Sequence, residues 1–325
     1  KEFLLEEEGM CDYQNFLSDC EKKIQTGEWE KNFRNYLSNI KKMEPVGGWI
    51  KKVNENPDDP FGIYTSVSGT AKSEYDIRYY GLKVATVKGE KVNLTKNVSK
   101  YFDDIPNVDN LTPPEAVEKL SKMRLKEKLR SPERLVESRV LKYMKLGRCK
   151  KYFRQMQPVT INGLFFQMPT FFKGSNHGKE SCAEKGGGID ILARISDPRS
   201  HICIMELKDS VTKGEEPKDI IRQAVAYACC IQKLLRSEQG KEWYTFFRGR
   251  NDTKDIPNPL VLFACVVVPF GKGFDKNNVS DNKIDEEILF ENGDKLRLRY
   301  LYLNMNEDYT EIVGAPETNL NLKKE

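Results

Sequence analysis

Two apolar stretches with a short polar segment between them give the clearest hydrophobic pattern of the chain. Residues 189–195 and 202–207 are rich in β-branched side chains, a pattern typical of a β-hairpin. Because side chains alternate between the faces of a strand, we expect Glu206 and Lys208 on one side, with Asp190 opening the neighbouring strand. The pattern thus predicts two carboxylates and an ammonium at one end of apolar strands, where charges are costly unless they bind something.

The first part of the chain combines a helical pattern with a strand pattern. Through residues 1–42, apolar side chains recur at spacings of three or four, which predicts helices whose aromatic stripe belongs to a core. A base-stacking surface is the less typical alternative for that spacing. Residues 62–94 then show strand patterns, with a tight turn at Lys88-Gly89-Glu90.

The length of the chain and a proline-rich segment predict more than one domain. A chain of 325 residues is longer than most single cores accommodate. Segment 103–114 has the composition of a linker, and Thr112 within it is expected to cap a helix. We therefore predict an N-terminal α+β accessory domain over residues 1–105, a linker and basic helix over 106–130, and a further domain over 131–325.

A second helix is predicted to begin at Ser131-Pro132 and to carry an acidic candidate for a functional site. Glu137 lies one turn before Leu141, on the side of the apolar face. Glu133 lies in the exposed first turn and is interpreted as an acid that interacts with the helix dipole. Glu137 is therefore the better site candidate, and a plain surface role remains the alternative for it.

The rest of the third domain alternates strand and helix patterns. The Asn162-Gly163 pair is typical of a tight turn between strands. Residues 220–235 have helical periodicity, with Gln223 and Tyr227 four positions apart on a shared face. Residues 259–269 are almost continuously apolar, as expected for a strand buried on both sides of a mixed sheet, whereas the segment after residue 311 shows no structural pattern. These patterns predict an α/β fold with a mixed central sheet flanked by helices.

The charged residues of the hairpin resemble the signature of a known family. Asp190, a spacer and then Glu206-Leu207-Lys208 resemble the D…(D/E)xK signature of the PD-(D/E)xK phosphodiesterase superfamily, which includes restriction endonucleases, Holliday-junction resolvases and RecB-type exonuclease domains. Gln223 and Tyr227 resemble the QxxxY element of its RecB-like branch, and residues 131–137 resemble its first core helix. The resemblance implies a restriction endonuclease-like core that hydrolyses phosphodiester bonds.

The proposed metal ligands are two carboxylates and one main-chain carbonyl. Asp190 and Glu206 offer hard oxygen donors of the kind that Mg²⁺ or Mn²⁺ prefers. The resemblance implies that the main-chain carbonyl of Leu207 completes the set. The expected cofactor is therefore Mg²⁺ or Mn²⁺.

The resemblance also implies roles for three further residues. Lys208 would position or help to deprotonate the attacking water, and Gln223 would contact the nucleophile or a backbone phosphate. Glu137 would tune the metal site or share a second metal. In the alternative without catalysis, Glu206 and Lys208 form only an ion pair at the edge of the sheet.

A basic stretch before the hairpin is a candidate surface for nucleic acid. Residues 118–154 contain fourteen Lys or Arg against four Glu, although the net charge of the whole chain is only +4. Lysines that neutralise phosphates supply most of the sequence-independent affinity for nucleic acid, so Lys142, Lys145 and Lys151 are predicted contacts. The alternative is a solvated pair of helices.

Two aromatic or aromatic-flanked residues are further candidates for nucleic-acid binding. Segment 243–250 interleaves aromatics with arginines, which would suit stacking of Arg248 and its neighbours on exposed bases. Tyr227, from the QxxxY element, is the other candidate. For the segment around Arg248, the edge of a core with surface charge is the alternative.

The composition excludes several other classes of protein. The two histidines argue against a His general base or a three-His metal site, and the eight cysteines show no zinc spacing. Apolar runs stay short of the ~18–20 residues that cross a bilayer, so we expect a cytoplasmic protein, or a nuclear one in a eukaryote.

The sequence thus predicts a Mg²⁺-dependent deoxyribonuclease. DNA is the favoured partner and RNA stays open, as does a homo-oligomer. A catalytically inactive nucleic-acid-binding module with the same fold is the alternative function.

Overall fold

The computed structural model describes most of the chain, in separate ranges. These are residues 13–24, 28–43, 47–67, 74–96, 98–123, 132–145, 153, 156–173, 181–182, 187–195, 201–209, 216–249, 255–271, 274–314 and 316–320. The described residues form an α/β fold with a mixed central sheet and a second, smaller sheet.

The bounds of the helices and strands follow the chain order. The helices are α1 (Tyr13–Lys23), α2 (Glu28–Lys42), α3 (Gly48–Glu55), α4 (Val98–Tyr101), α5 (Pro113–Leu120), α6 (Pro132–Lys145), α7 (Pro217–Arg236) and α8 (Gly240–Arg248). The strands are β1 (Phe61–Tyr64), β2 (Glu74–Tyr79), β3 (Leu82–Lys88), β4 (Lys91–Leu94), β5 (Met156–Pro158), β6 (Met168–Pro169), β7 (Phe172–Lys173), β8 (Ser181–Cys182), β9 (Gly188–Ile189), β10 (Ile191–Ile195), β11 (His201–Leu207), β12 (Val261–Pro269), β13 (Glu286–Leu289), β14 (Lys295–Leu303) and β15 (Glu317–Thr318).

The central sheet orders its strands β13-β14-β12-β11-β10-β5, with β15 on β14. β12 runs parallel to both β11 and β14, whereas β10–β11, β5–β10 and β13–β14 are antiparallel pairs. The predicted mixed sheet is therefore confirmed. The segment after residue 311, which shows no structural pattern in the sequence, also contributes to the fold, because Ile312 is buried and β15 extends the sheet.

Helices cover both faces of the central sheet. Along β12, Leu262 and Val266 belong to a buried cluster with residues of α7 and α8. Phe263 and Val267, on the opposite face, belong to a cluster with residues of α6. β12 is thus buried on both sides, as its apolar run predicts, and α6 and α7 lie on opposite sides of the sheet.

The first two helices pack on the large core instead of forming part of a separate domain. Leu17 of α1 and Phe33 of α2 are buried in the same cluster as α7 and β12. Trp29 stacks on Phe171, with ring centroids 4.1 Å apart. The aromatic stripe is therefore core, as expected, but the predicted domain boundary at residue 105 does not match the packing.

Hydrogen bonds across great sequence distance also hold α1 in place. The side-chain amide of Gln14 donates to the carbonyl oxygen of Leu289 at 2.8 Å and accepts from its N–H at 2.9 Å. The hydroxyl of Tyr13 donates to the carbonyl oxygen of Lys218 at 3.1 Å. α1 is thus tied to both β13 and α7.

A smaller antiparallel sheet, β1-β2-β3-β4, packs with α3, α4 and α5 around its own buried cluster, and we call it the accessory sheet. The predicted strands and the turn at Gly89 are confirmed. Thr112 caps α5 as predicted, and its N–H and hydroxyl both donate to Glu115. Because Val108 and Leu120 are buried in this cluster, the segment predicted as a linker packs on the accessory sheet.

Candidate active site

The hairpin β10–β11 brings the first pair of predicted site residues together. The strands are antiparallel, with Ile191 opposite Met205, so Asp190 lies beside the end of β11. Asp190 Oδ2 accepts a hydrogen bond of 2.9 Å from the N–H of Leu207. The predicted hairpin and its convergent acids are confirmed.

Glu206 and Lys208 lie near each other at the carboxyl end of β11. Glu206 is only 2% exposed and lies on the sheet face of Ile204, toward α7. Lys208 Nζ is 3.9 Å from Glu206 Oε1 and also 3.9 Å from Glu133 Oε2. Glu133, which the sequence assigns only to the helix dipole, therefore also faces the site.

Glu137 approaches the same end of the sheet from α6. Its carboxylate is buried, and Glu137 Oε2 accepts a long hydrogen bond of 3.4 Å from the side-chain amide of Gln167. Glu137 is therefore buried near Asp190, so the alternative of a plain surface acid is wrong and Glu137 stays a candidate site residue. Gln167 was missed, because a single Gln among apolar residues carries no recognisable pattern.

Burial and mutual repulsion disfavour ionisation of the three carboxyl groups. Burial, reinforced by the charge of Asp190, raises the pKa of Glu137 to about 8, against the opposing charge of Arg78. Burial raises the pKa of Asp190, although the Leu207 N–H and Lys208 lower it. Burial and the nearby Asp190 raise the pKa of Glu206 well above its usual range. Three interacting acids with raised pKa values are typical of a functional site.

Two carboxylate oxygens of this group are buried without a hydrogen-bond partner among the described residues. They are Glu137 Oε1 and Glu206 Oε2. A buried acceptor left unpaired costs about 1–3 kcal/mol, so native proteins seldom retain one without a reason. Such oxygens are the donors that Mg²⁺ and Mn²⁺ prefer, and the residues present therefore fit a hard divalent cation.

The set of candidate ligands is small. Within the described ranges, no group of three or more His, Cys, Asp and Glu side chains is arranged as a ready-made cation site. The predicted ligands are two carboxylates, Asp190 and Glu206, with the carbonyl of Leu207, so a third acidic ligand is not required by the prediction.

Gln223 and Tyr227 line the α7 side of the site. The Gln223 side-chain amide donates to Tyr227 Oη at 3.2 Å. Burial, followed by the charge of Glu206, raises the pKa of Tyr227. The ring of Tyr227 is buried, so the prediction that it contacts nucleic acid directly is wrong for this structure, and it holds Gln223 instead.

Gly187 lies against the same tyrosine. A Cβ atom at Gly187 would lie 2.3 Å from Tyr227 Oη, whereas one at Gly188 would meet its nearest atom, Gln167 Cβ, at 3.6 Å. Glycine at position 187 thus permits close approach of the backbone to Tyr227.

Lys142 was predicted to contact phosphate, and the structure contradicts this. Its side chain is 0% exposed, and Nζ donates to the carbonyl oxygens of Val53, Asn56 and Asp59 at 3.0, 2.9 and 2.6 Å. Burial lowers the pKa of Lys142 to about 7. Lys142 therefore joins α6 to the end of α3 and the loop that follows it.

The other predicted nucleic-acid contacts have different outcomes. Lys145 is half-buried, and burial lowers its pKa. Lys151 lies outside the described residues. Arg248 is buried, with its guanidinium 5.4 Å from the Tyr244 ring centroid, so the prediction that it stacks on exposed bases is wrong. The alternative, the edge of a core with surface charge, is correct for the buried aromatic residues of the segment but not for Arg248, which is itself buried.

Comparisons with protein families, with curated proteins and with solved structures find no match to this chain. Among the helices that the structure describes, none combines the length and apolar composition needed to cross a bilayer. The function must therefore be argued from the site itself.

Proposed function

We propose that this protein is a metal-dependent nuclease of the PD-(D/E)xK type, with a restriction endonuclease-like core, that hydrolyses phosphodiester bonds in DNA. The observation that carries the proposal is the convergence of Glu137, Asp190, Glu206 and Lys208 at one end of the central sheet. Two buried carboxylate oxygens of this group have no hydrogen-bond partner among the residues that the structure describes. If Glu206 and Lys208 formed only a structural ion pair, neither the burial of further acids beside them nor the unpaired carboxylate oxygens would be explained.

In the proposed reaction, the metal ligands and Lys208 have separate roles. Asp190, Glu206 and the main-chain carbonyl of Leu207 would hold Mg²⁺ or Mn²⁺. When bound, such an ion supplies Lewis acidity and a water of lowered pKa. Lys208, near Glu206, would orient the attacking water and would balance the negative charge that develops on the phosphate. Each carboxyl must give up its proton to act as a ligand.

The residues around the ligands control orientation and proton transfer. Tyr227 holds the Gln223 amide in place, so that Gln223 can contact the nucleophile or a phosphate oxygen. Burial raises the pKa of Glu137, so in the proposal this carboxyl can hold or release a proton near the reaction centre. Both residues therefore support the reaction without being required ligands.

A cleavage assay with four variants tests the proposal. We expect wild-type protein to cleave DNA with Mg²⁺ or Mn²⁺ and to lose cleavage in EDTA. Asp190→Asn and Glu206→Gln should lose at least ~10³-fold in rate, because each removes a charged ligand worth several kcal/mol. Lys208→Ala should also be strongly impaired, while Asp255→Asn, at an exposed acid paired with Lys241, should keep wild-type activity.

The same assay separates the two candidate functions. Ca²⁺ should support binding of DNA with little or no turnover, because its looser coordination is poorly suited to activating water. Cleavage that persisted in Asp190→Asn would contradict the proposed site. Binding of DNA without cleavage under every divalent ion would instead support the inactive binding module.

A further inference from the structure

Arg78 of the accessory sheet holds its guanidinium over an aromatic ring. Arg78 lies on β2 directly opposite Gly62 of β1. Its Cζ is 4.2 Å from the centroid of the Tyr64 ring, a cation–π distance. A Cβ at Gly62 would lie 2.8 Å from the Tyr64 ring, so the glycine leaves room for this ring to lie under the guanidinium.

The stacked pair faces the candidate site. Tyr64 is buried in the same cluster as Val136 and Val140, which flank Glu137 on α6. The charge of Arg78 favours the ionised form of Glu137, and the charge of Glu137 in turn acts on Tyr64. The accessory sheet therefore places a cation beside the acid cluster of the core.

Nearby acids do not satisfy the hydrogen-bonding groups of Arg78. Nε is buried without a hydrogen-bond partner among the described residues. Asp76 Oδ2 is 4.0 Å from Nη2, beyond hydrogen-bond reach, whereas Asp76 Oδ1 is 2.7 Å from Lys83 Nζ. The Arg78 side chain is 23% exposed, so part of it remains accessible to a ligand. A planar guanidinium of this kind matches the geometry of a phosphate group.

We propose that Arg78 contacts a backbone phosphate of the nucleic acid beside the acid cluster, so that the substrate is bound by the accessory sheet and the core together. This inference rests on the proposed nuclease function. It adds a cationic contact that the sequence does not reveal, and it gives the accessory sheet a role in recognising the substrate.

A charge-matched pair of variants tests this role. Lys83 lies directly opposite Arg78 on β3, so Lys83→Gln removes an equal charge from the same sheet. The affinity of Arg78→Gln, Arg78→Lys and Lys83→Gln for duplex DNA is measured in Ca²⁺ over a series of salt concentrations. The KM and kcat for Mg²⁺-dependent cleavage are measured in parallel, and circular dichroism confirms folding.

The inference predicts a specific pattern of results. Arg78→Gln should raise Kd and KM about tenfold and reduce the log–log salt slope by about 0.9, the value for one phosphate contact. Arg78→Lys should recover part of the affinity because it keeps the charge, and Lys83→Gln should remain within about twofold of wild type.

Three other outcomes would contradict the inference about Arg78, and the measurements distinguish them. Unchanged Kd and salt slope in Arg78→Gln, with active wild-type protein, would overturn this inference and leave the nuclease proposal intact. A loss confined to kcat would also overturn it, because Arg78 would then act only through the charge of Glu137. Wild-type protein that neither binds nor cleaves DNA would overturn both proposals.

Discussion

At the scale of single residues, the chemistry of the candidate site depends on the protonation of three neighbouring carboxyl groups. Glu137 has a pKa of about 8 in the folded protein, and a free glutamate side chain titrates near ~4.3. Below pH ~4.3 both states hold the proton, and above pH 8 neither does. Between these values the folded state holds a proton that the unfolded state has lost.

Stability should therefore fall as pH rises through this window. We expect the free energy of unfolding in EDTA to decrease between pH 5 and 7, with Glu137 contributing up to about 1.4 kcal/mol per pH unit. Urea unfolding measures this slope. Glu137→Gln should reduce it, whereas Glu118→Gln, an exposed control on α5, should retain it. An unchanged slope in Glu137→Gln would mean that this carboxyl is already ionised in the folded protein.

Gly187 offers a test of the contact that holds Gln223. Gly187→Ala should destabilise the protein by about 1–3 kcal/mol and lower activity, because its methyl group must displace the Tyr227 hydroxyl. Gly188→Ala is the neighbouring control and should have a much smaller effect, since its methyl group makes only ordinary contacts. Denaturant unfolding and cleavage rates measure both effects. Equal effects in the two variants would argue against the Tyr227 contact.

The sequence predicts the charged residues of the hairpin better than the roles of charged residues elsewhere in the chain. Asp190 and Glu206 follow from the strand alternation of one hairpin, so local pattern is sufficient. The role of Lys142 does not follow from local pattern, because Lys142 donates to three carbonyl groups more than eighty residues away in the chain. Arg78 was missed for the same reason, since only the packed accessory sheet brings it near Glu137.

At the scale of elements, the position of α6 depends on its contact with the turn between β2 and β3. Gly81, with φ of +79°, would place a Cβ atom 2.4 Å from the carbonyl oxygen of Arg134 on α6. The turn therefore lies directly against the helix that carries Glu137. Lys142 and its three carbonyl partners secure the other end of that helix.

A pair of glycine substitutions separates this contact from backbone strain. Gly89 has a φ of +60° in the turn between β3 and β4, with nothing near its Cβ position. Gly89→Ala should therefore cost only about 1 kcal/mol of backbone strain. Gly81→Ala should cost a further ~1–3 kcal/mol and lower cleavage, because α6 must move away from the turn. Unfolding and cleavage assays measure both, and equal effects would contradict the close contact.

The predictability of elements follows the strength of their local pattern. The hairpin, α7 and β12 have clear periodicity or continuous apolar runs and were predicted close to their observed bounds. β15 was not predicted, because a two-residue strand is too short to show a recognisable pattern. The strand is defined by its pairing with β14. The short strands β6 to β9 are defined by tertiary pairing in the same way.

At the scale of the whole molecule, α1 and α2 pack on the large core around the central sheet and not on the accessory sheet. The sequence could not reveal this, because an amphipathic helix shows that it has an apolar partner but not which one. The acids and the lysine of the candidate site come instead from α6 and from the hairpin, with α7 beside them.

Because α1 packs on the same core as α7 and β12, we expect a substitution that loosens α1 to destabilise the central sheet as well. Leu17→Ala removes a fully buried side chain and should cost about 2–5 kcal/mol. Hydrogen exchange read by mass spectrometry should show faster exchange in α7 and β12. Leu289→Ala, at an exposed leucine on β13, is the control and should have little effect. Faster exchange restricted to residues before 106 would instead support a separate N-terminal domain.

The contact of Gln14 with Leu289 also determines how late during translation α1 can complete its packing. The two residues are 275 positions apart, so at roughly 5–20 residues per second the ribosome needs roughly 14–55 s to make the partner of α1 after α1 itself. During that interval the apolar face around Leu17 has no completed sheet to cover it. Slow synthesis or premature release would therefore leave this face of α1 open to aggregation.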